Sequence, residues 1–456
     1  MGTLARVFVA NRGEIAVRVI EACHAEGIET VLGVSEADRE GRGAELAERA
    51  ICVGPAAAQA SYLNPGALVM AAKGTGCDAL HPGYGFLAEN AGFARACAEN
   101  GILFIGPRPE TIEQLGDKIA ARRVAAEAGV PLMPGSEAVG SVDEAVARAD
   151  AMGYPVVIKA AAGGGGRGMF VATDADAIRG CFEKASAEAA AAFNDGTLYM
   201  ERFIANARHI EVQVLADDHG NAVHLGERDC SAQRRYQKVV EEAPAPVLPD
   251  AARARLHEAA LQLVRHIGYR NAGTVEFLYN MDRGKPCFIE MNARIQVEHP
   301  VTEMVTGIDI VREQLRIAGG APLSFAQADV VLRGHAIECR INAESPGRDF
   351  APSPGRVTTW RPPAGEGLRL DSHIREGDLV PPFYDSMIGK LIAYAPTRAE
   401  ALARLGAALD DFAVEGIETN IAFQRALLAH PDFVRGGVSV RWLESVLMLA
   451  VNAQEG

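Results

Sequence analysis

From Glu290 to Pro300 the chain reads EMNARIQVEHP, and polar and apolar side chains alternate strictly along it. Glu290, Asn292, Arg294, Gln296 and Glu298 share one parity; Met291, Ala293, Ile295 and Val297 share the other. Extended backbone sends successive side chains to opposite faces, so this pattern predicts a strand with two carboxylates, two amides and a guanidinium gathered on one side. Upstream, GTVEFLYNMDRGKPCFIEMN (residues 273–292) predicts a hairpin whose turn is centred on Arg283. A symmetric register then puts Glu276 directly opposite Glu290, each seven residues from the centre.

The first hundred residues alternate strand and helix patterns: RVFVAN, GEIAVRVIEACHAEG, TVLGVS, then helical NAGFARACAEN before GILFIG. That rhythm predicts a parallel sheet covered by helices, and the lack of G-x-G-x-x-G after the first strand argues against a dinucleotide site. Asp117 is placed to cap a helix that Gly129 stops. YPVVIKA and GMFVAT read as strands around a loop, followed by an alanine-rich helix from about Asp174 to Ala192. LYMERFI, RHIEVQVLAD and GNAVHLGERD predict antiparallel strands, AARARLHEAALQLVRHIG a helix, and TEMVTGIDIVREQLRIAGG one helix after the alternating strand. A Pro- and Gly-rich stretch, NAESPGRDFAPSPGRVTTWRPPAGEG, marks a third block that begins near Arg333 and ends in helices from about Thr397 to Met448.

Composition narrows the partners. With 456 residues, 48% hydrophobic and 23% charged, the chain is an ordinary globular protein of about three domains. A formal charge of −14 disfavours nucleic acid and anionic membranes. No apolar run is long enough to span a bilayer, and the start lacks an apolar stretch with a cleavage site, so a cytoplasmic location is expected. The eight cysteines form no C-x-x-C pair, and the eleven histidines have no metal spacing.

Three segments carry chemistry. In KAAAGGGGRGMFVAT (residues 159–173) four consecutive glycines let the backbone approach a ligand and turn its amides to phosphate oxygens, with Lys159 reaching the same group. No GK[ST] follows, so this is a glycine flap between strands rather than a Walker A loop. Glu276 and Glu290 facing each other across a strand pair repel unless a hard divalent cation lies between them, and Asn292 adds a neutral oxygen. ERDCSAQRRYQKVVEEAPAP holds Arg228, Arg234, Arg235 and Lys238, a positive cluster to offset a polyanion, although Arg234 and Arg235 also suit salt-bridged scaffold roles.

Flap, paired glutamates and basic loop together resemble the ATP-grasp architecture. ANRGEIAVRVI, HPGYGFLAEN, KAAAGGGGRGM, ERDCSAQRRYQKVVEEAPAP, EMNARIQVEHPVTEMVTGID and RGHAIECRINAE are similar to the motifs of biotin carboxylase, in family order from about residue 5 to residue 445. The resemblance implies an α/β and α+β fold: an N-terminal Rossmann-like parallel sheet (1–115), a central ATP-grasp domain (116–332) with a glycine-rich lid over about 131–204, and a C-terminal biotin carboxylase domain (333–447). It implies that Lys118, Lys159, His209 and Gln233 hold ATP, with Gly164, Gly165 and Gly166 in the lid and Glu201 and Phe203 near the adenine. Mg²⁺ or Mn²⁺ would lie on Glu276, Glu290 and Asn292; bicarbonate on Lys238, Arg294, Gln296 and the Val297 backbone. Glu298 matches the general base, Arg340 the stabiliser of the biotin enolate, and Tyr84 a wall of the biotin pocket.

The implied activity is the first half-reaction of a multisubunit carboxylase such as acetyl-CoA carboxylase. The chain has no MKM sequence, so biotin would arrive on a separate carrier polypeptide, with carboxyltransferase subunits and a second copy of the chain as partners. Tyr236 stands where many relatives have His, Ala162 shortens the glycine run, and Ala293 replaces Thr or Pro. Three other readings are open: the biotin carboxylase subunit of a pyruvate or other acyl-CoA carboxylase; a different acceptor, as in carbamoyl phosphate synthesis; and a catalytically silent nucleotide-binding subunit.

Overall fold

The computed structural model describes residues 4–161 and 169–446. Five strands, β1 (Arg6–Val9), β2 (Glu29–Ser35), β3 (Arg49–Gly54), β4 (Ala79–His81) and β5 (Leu103–Phe104), form a parallel sheet in the order β3-β2-β1-β4-β5. Helices Gly13–Ala25, Pro65–Gly74 and Ala91–Glu99 cross between them, the last two capped by the Asn64 and Asn90 side chains. β1 is buried on both faces: Phe8 enters one hydrophobic core, while Val7 and Val9 enter another.

Asp117 caps helix Lys118–Glu127, its carboxylate accepting from the Ala120 amide at 2.7 Å. Beyond it, β6 (Val156–Ala160), β7 (Phe170–Ala172) and β8 (Leu198–Arg202) make a small antiparallel sheet in the order β7-β6-β8. Helices Val142–Met152 and Ala175–Phe193 pack on it around a core of their own. The glycines Gly164, Gly165 and Gly166 lie outside the described residues.

The largest sheet carries β9 (Ala207–Ala216), β10 (Ala222–Arg234), β11 (Gln237–Ala243), β12 (Asn271–Asn280), β13 (Lys285–Asn292) and β14 (His335–Asn342). Its order is β13-β12-β9-β10-β11-β14, followed by strands Met387–Ala395 and Leu368–Ser372, antiparallel throughout. Because β11 pairs with β14, the sheet runs unbroken from the middle of the chain into its last third. No helix among the described residues is long and apolar enough to cross a membrane.

Pro300 at the end of the alternating segment argues that extension fails partway, and the segment stays extended only to Asn292; it then turns, and Glu298 occupies the N-cap position of a new helix with Pro300 in its first turn. One sequence expectation is corrected. The single helix expected over residues 302–320 is two, His299–Thr306 and Ile310–Ala318. Gly307 ends the first in the left-handed region at φ 72°, and the Asp309 side chain caps the second at the Arg312 amide, 2.9 Å away.

Candidate active site

Glu276 and Glu290 are cross-strand partners, as the sequence predicts, but the turn is not centred where it predicts. Near the turn the register pairs Asn280 with Lys285 and Phe277 with Phe288, which alone would set Glu276 against Ile289. A bulge at Ile289 advances β13 by one residue and brings Glu290 opposite Glu276, Met291 opposite Val275 and Asn292 opposite Thr274. On its other side Glu276 pairs with Glu211 of β9, and Glu211 with Arg228 of β10. Three carboxylates thus stand in a row across three adjacent strands.

Cations already balance this row. Lys238 Nζ donates to Glu211 at 2.6 Å, to Glu276 at 3.0 Å and to Glu298 at 2.6 Å. His209 Nε2 lies 3.1 Å from the other Glu276 oxygen, Asn292 and Gln296 donate to Glu276 at 2.8 and 3.0 Å, and Lys118 Nζ is 3.4 Å from Glu290. Burial alone would raise the Glu276 carboxyl, yet Lys238 and His209 hold it well below the usual carboxylate range.

The segment after β13 is wired to the same row. Arg294 donates to Glu89 at 2.9 Å, to Gln296 at 2.9 Å and to Asn292 at 2.9 Å, which fixes its guanidinium on the cavity wall. Glu298 is fully buried; its oxygens accept from Lys238 at 2.6 Å and from Arg340 at 3.1 Å. Burial would raise this carboxyl too, and Lys238 and Arg340 outweigh it, holding Glu298 below the carboxylate range. The Val297 carbonyl accepts from Lys390 at 2.8 Å.

A cavity of about 1130 Å³ joins the predicted residues. Lys118, Lys159, Glu201, Phe203, His209 and Gln233 line it, as do Glu276, Glu290 and Asn292, and Lys238, Arg294, Gln296, Val297, Arg340 and Tyr84. Glu298 stands one layer behind, screened by Lys238 and Arg340. Glu201 is clamped between Lys159 and Arg122, and the Gln233 amide lies 3.0 Å from His209 Nδ1.

The basic run does not act as a block. Arg228 is fully buried against Glu211, and Arg234 and Arg235 pair with Asp349, so of the four only Lys238 reaches the cavity. Sequence reasoning missed Glu211, Glu89, Glu241 and Lys390. Glu211 had a signal: in RHIEVQVLAD it shares parity with His209 and Gln213 on a strand buried along its whole length.

Three stretches of the chain match known protein families. Residues 3–112 match the biotin carboxylase N-terminal domain, residues 117–326 the carbamoyl-phosphate synthase L chain ATP binding domain, and residues 338–445 the biotin carboxylase C-terminal domain. Biotin carboxylase 1 of Bacillus subtilis (strain 168) is 50% identical over 441 residues, which cover 96% of this chain and 98% of that one. The chain belongs to the biotin carboxylase family. Its fold is that of the Campylobacter jejuni biotin carboxylase complex with beta-gamma-ATP, at a TM-score of 0.95 and 45% identity over 97% of this chain and 99% of that one. It equally matches the biotin carboxylase domain dimer of Hydrogenobacter thermophilus 2-oxoglutarate carboxylase, a complex with MgADP, ADP and bicarbonate, at a TM-score of 0.94 and 45% identity over 98% of this chain and 99% of that one. As a biotin carboxylase family member with an ATP-grasp ATP-binding domain, the chain is an ATP-dependent ligase.

Proposed function

We propose that this chain uses ATP to activate bicarbonate as carboxyphosphate and then carboxylates biotin borne on a separate carrier polypeptide, as the biotin carboxylase subunit of a multisubunit acetyl-CoA carboxylase. In this reading residues 1–115, 116–332 and 333–447 are its domains, two copies form a homodimer, and carboxyltransferase subunits complete the assembly in the cytoplasm. The observation that carries it is the fixed guanidinium of Arg294 in one cavity with Lys238 and the Glu276–Glu290 pair.

Bicarbonate is a poor nucleophile, and bringing it to a triphosphate sets two anions together. Lys118 and Lys159 supply positive charge for the phosphates, with His209, Gln233, Glu201 and Phe203 positioning the rest of ATP and Gly164, Gly165 and Gly166 covering it. The Glu276 and Glu290 carboxylates, cross-strand partners on one hairpin face, fit a hard divalent cation, and Asn292, whose amide here donates to Glu276 while its oxygen accepts from Arg294, would add a neutral oxygen on turning over. Mg²⁺ or Mn²⁺ held there would neutralise phosphate charge.

Arg294, Gln296, the Val297 backbone and Lys238 form the bicarbonate seat. Glu298, as paired here, is a weak base. An anion that draws on Lys238 weakens that pairing and raises the proton affinity of Glu298, so the base strengthens when the group to be deprotonated arrives. Arg340 supplies positive charge where the biotin oxygen becomes anionic, and Tyr84 lines the same wall.

ADP release with bicarbonate, measured with and without free biotin, tests the reading. Biotin-stimulated release supports it; ammonia stimulation points to carbamoyl chemistry, and no release to a silent subunit. The likeness to a 2-oxoglutarate carboxylase domain favours a second choice of final acceptor, a keto acid. Pairing the chain with each carboxyltransferase and following acceptor carboxylation separates the two.

A further inference from the structure

On β11 and β14, Glu241 and Glu338 are direct cross-strand partners, so their side chains share one face. Both are fully buried. One Glu241 oxygen accepts from Arg340, at 2.7 Å from Nε and 2.5 Å from Nη2, and the same guanidinium continues to Glu298 at 3.1 Å. The other Glu241 oxygen and both Glu338 oxygens have no hydrogen-bond partner among the described residues.

The cations around this pair are committed elsewhere. Lys238 serves Glu211, Glu276 and Glu298, and Lys390 serves Glu14 at 3.0 Å and the Val297 carbonyl at 2.8 Å, with Asp371 at 3.7 Å. Arg340 alone touches the pair, and it is shared with Glu298; Lys390, on the neighbouring strand, offsets the Glu338 charge across space while donating to Glu14 and the Val297 carbonyl. The remaining titratable neighbours, Tyr84 from the N-terminal sheet region and the thiols of Cys230 and Cys339, are all held neutral by burial. Two ionised carboxylates here would leave Glu338 charged and buried with no donor and with only the part of Lys390 that Glu14 does not take.

We propose that Glu241 and Glu338 hold a shared proton at neutral pH, and that Glu338 is thereby a positioning residue that keeps the Arg340 guanidinium divided between Glu241 and Glu298 at the cavity wall. Burial raises both carboxyls: Glu241 to about 7 against the pull of Arg340, and Glu338 well above the carboxylate range, with Lys390 opposing and Glu241 adding to the rise. When the pair loses its proton, the second negative charge draws Arg340 back from Glu298 and from the cavity. The biotin step then weakens while biotin-free ATP turnover changes less. The functional consequence rests on the biotin carboxylation proposed above; the shared proton does not.

Glu338→Gln keeps the shape of the protonated acid and cannot ionise. Two measurements on the full chain test the proposal. In infrared difference spectra of wild type minus E338Q at pH 7, a protonated-carboxyl C=O band is expected in the wild type; its absence overturns the shared proton whether or not the enzyme turns over. In pH profiles of kcat for biotin-stimulated ADP release, the alkaline fall of the wild type is expected to move up by about one pH unit or more in E338Q, with the KM for ATP within about twofold. Superimposable profiles, or a uniform loss of about tenfold at every pH, overturn the positioning role. If wild-type turnover is not stimulated by biotin, the proposed reaction fails, and the infrared band alone still decides the shared proton.

Discussion

Lys238 satisfies three buried carboxylates at once, those of Glu211, Glu276 and Glu298, and this makes it the most exacting single position in the cavity wall. Removing its ammonium leaves more buried negative charge than the remaining partners offset: Arg228 is already paired with Glu211, Arg340 is divided between Glu241 and Glu298, and Glu276 keeps only His209 and two amide donors. Lys238→Met is therefore expected to destabilise the fold by about 3–5 kcal/mol near pH 7, the range for breaking a buried ion pair from one side. The sign of the pH dependence follows from the carboxylates. In the wild type Glu276 and Glu298 lie below the usual range, so the stability they contribute is present above the unfolded carboxylate pKa and fades only as pH falls through their depressed folded values. In the variant the same carboxyls, buried without Lys238, shift upward and gain from protonation as pH falls. Urea unfolding of both proteins should show a gap that narrows from pH 7 to pH 5; a gap independent of pH would mean the loss is one of packing rather than charge.

At the scale of elements, the break at Gly307 shows how a local backbone requirement overrides a periodic pattern. Nothing lies within 4 Å of a Cβ built on Gly307, and its φ is 72°, so a side chain would meet no neighbour and only the left-handed backbone would resist it. Gly307→Ala should cost about 1 kcal/mol in urea unfolding, and Gly307→Asn less, because Asn tolerates that region better. The apolar positions of residues 302–320 fit one helix, but a residue fixed at φ 72° followed by a capping aspartate stops it. The same limit governs the hairpin. Equal spacing about Arg283 predicts the Glu276–Glu290 pair, and the pair forms, yet by way of a bulge at Ile289 that spacing alone does not reveal. The parallel sheet and the capped helices at Asp117 and Asp174 were legible because caps and short periodic runs are local signals. The three-way pairing of Lys238 and the Arg234 and Arg235 contacts to Asp349 were not, since they join residues 27 to 115 positions apart.

For the molecule as a whole, one buried lysine ties together parts of the chain that sequence keeps far apart. Lys390, on a strand of the last third, is fully buried and donates to the Val297 carbonyl at 2.8 Å, across 93 positions, while pairing with Glu14 at the start of the first helix. Glu14 in turn accepts from Tyr84 on the cavity wall. The segment from Arg294 to Glu298 therefore takes its shape from below as well as from its own side chains, and both the cavity cation Arg294 and the buried Glu298 depend on that shape. Lys390→Met removes the donor and leaves Glu14 and the Val297 carbonyl buried without it. The loss in stability should be about 3–5 kcal/mol, as for other one-sided breaks of buried ion pairs. If the lysine also sets the bicarbonate seat, the KM for bicarbonate should rise on the order of tenfold, the equivalent of one charge-assisted hydrogen bond, with a smaller change in the KM for ATP. Steady-state kinetics at a temperature where the variant remains folded separates these effects. An unchanged KM for bicarbonate alongside lowered stability would confine Lys390 to holding the three parts of the fold together, because a displaced Val297 backbone could not leave an anion bound at its amide unaffected.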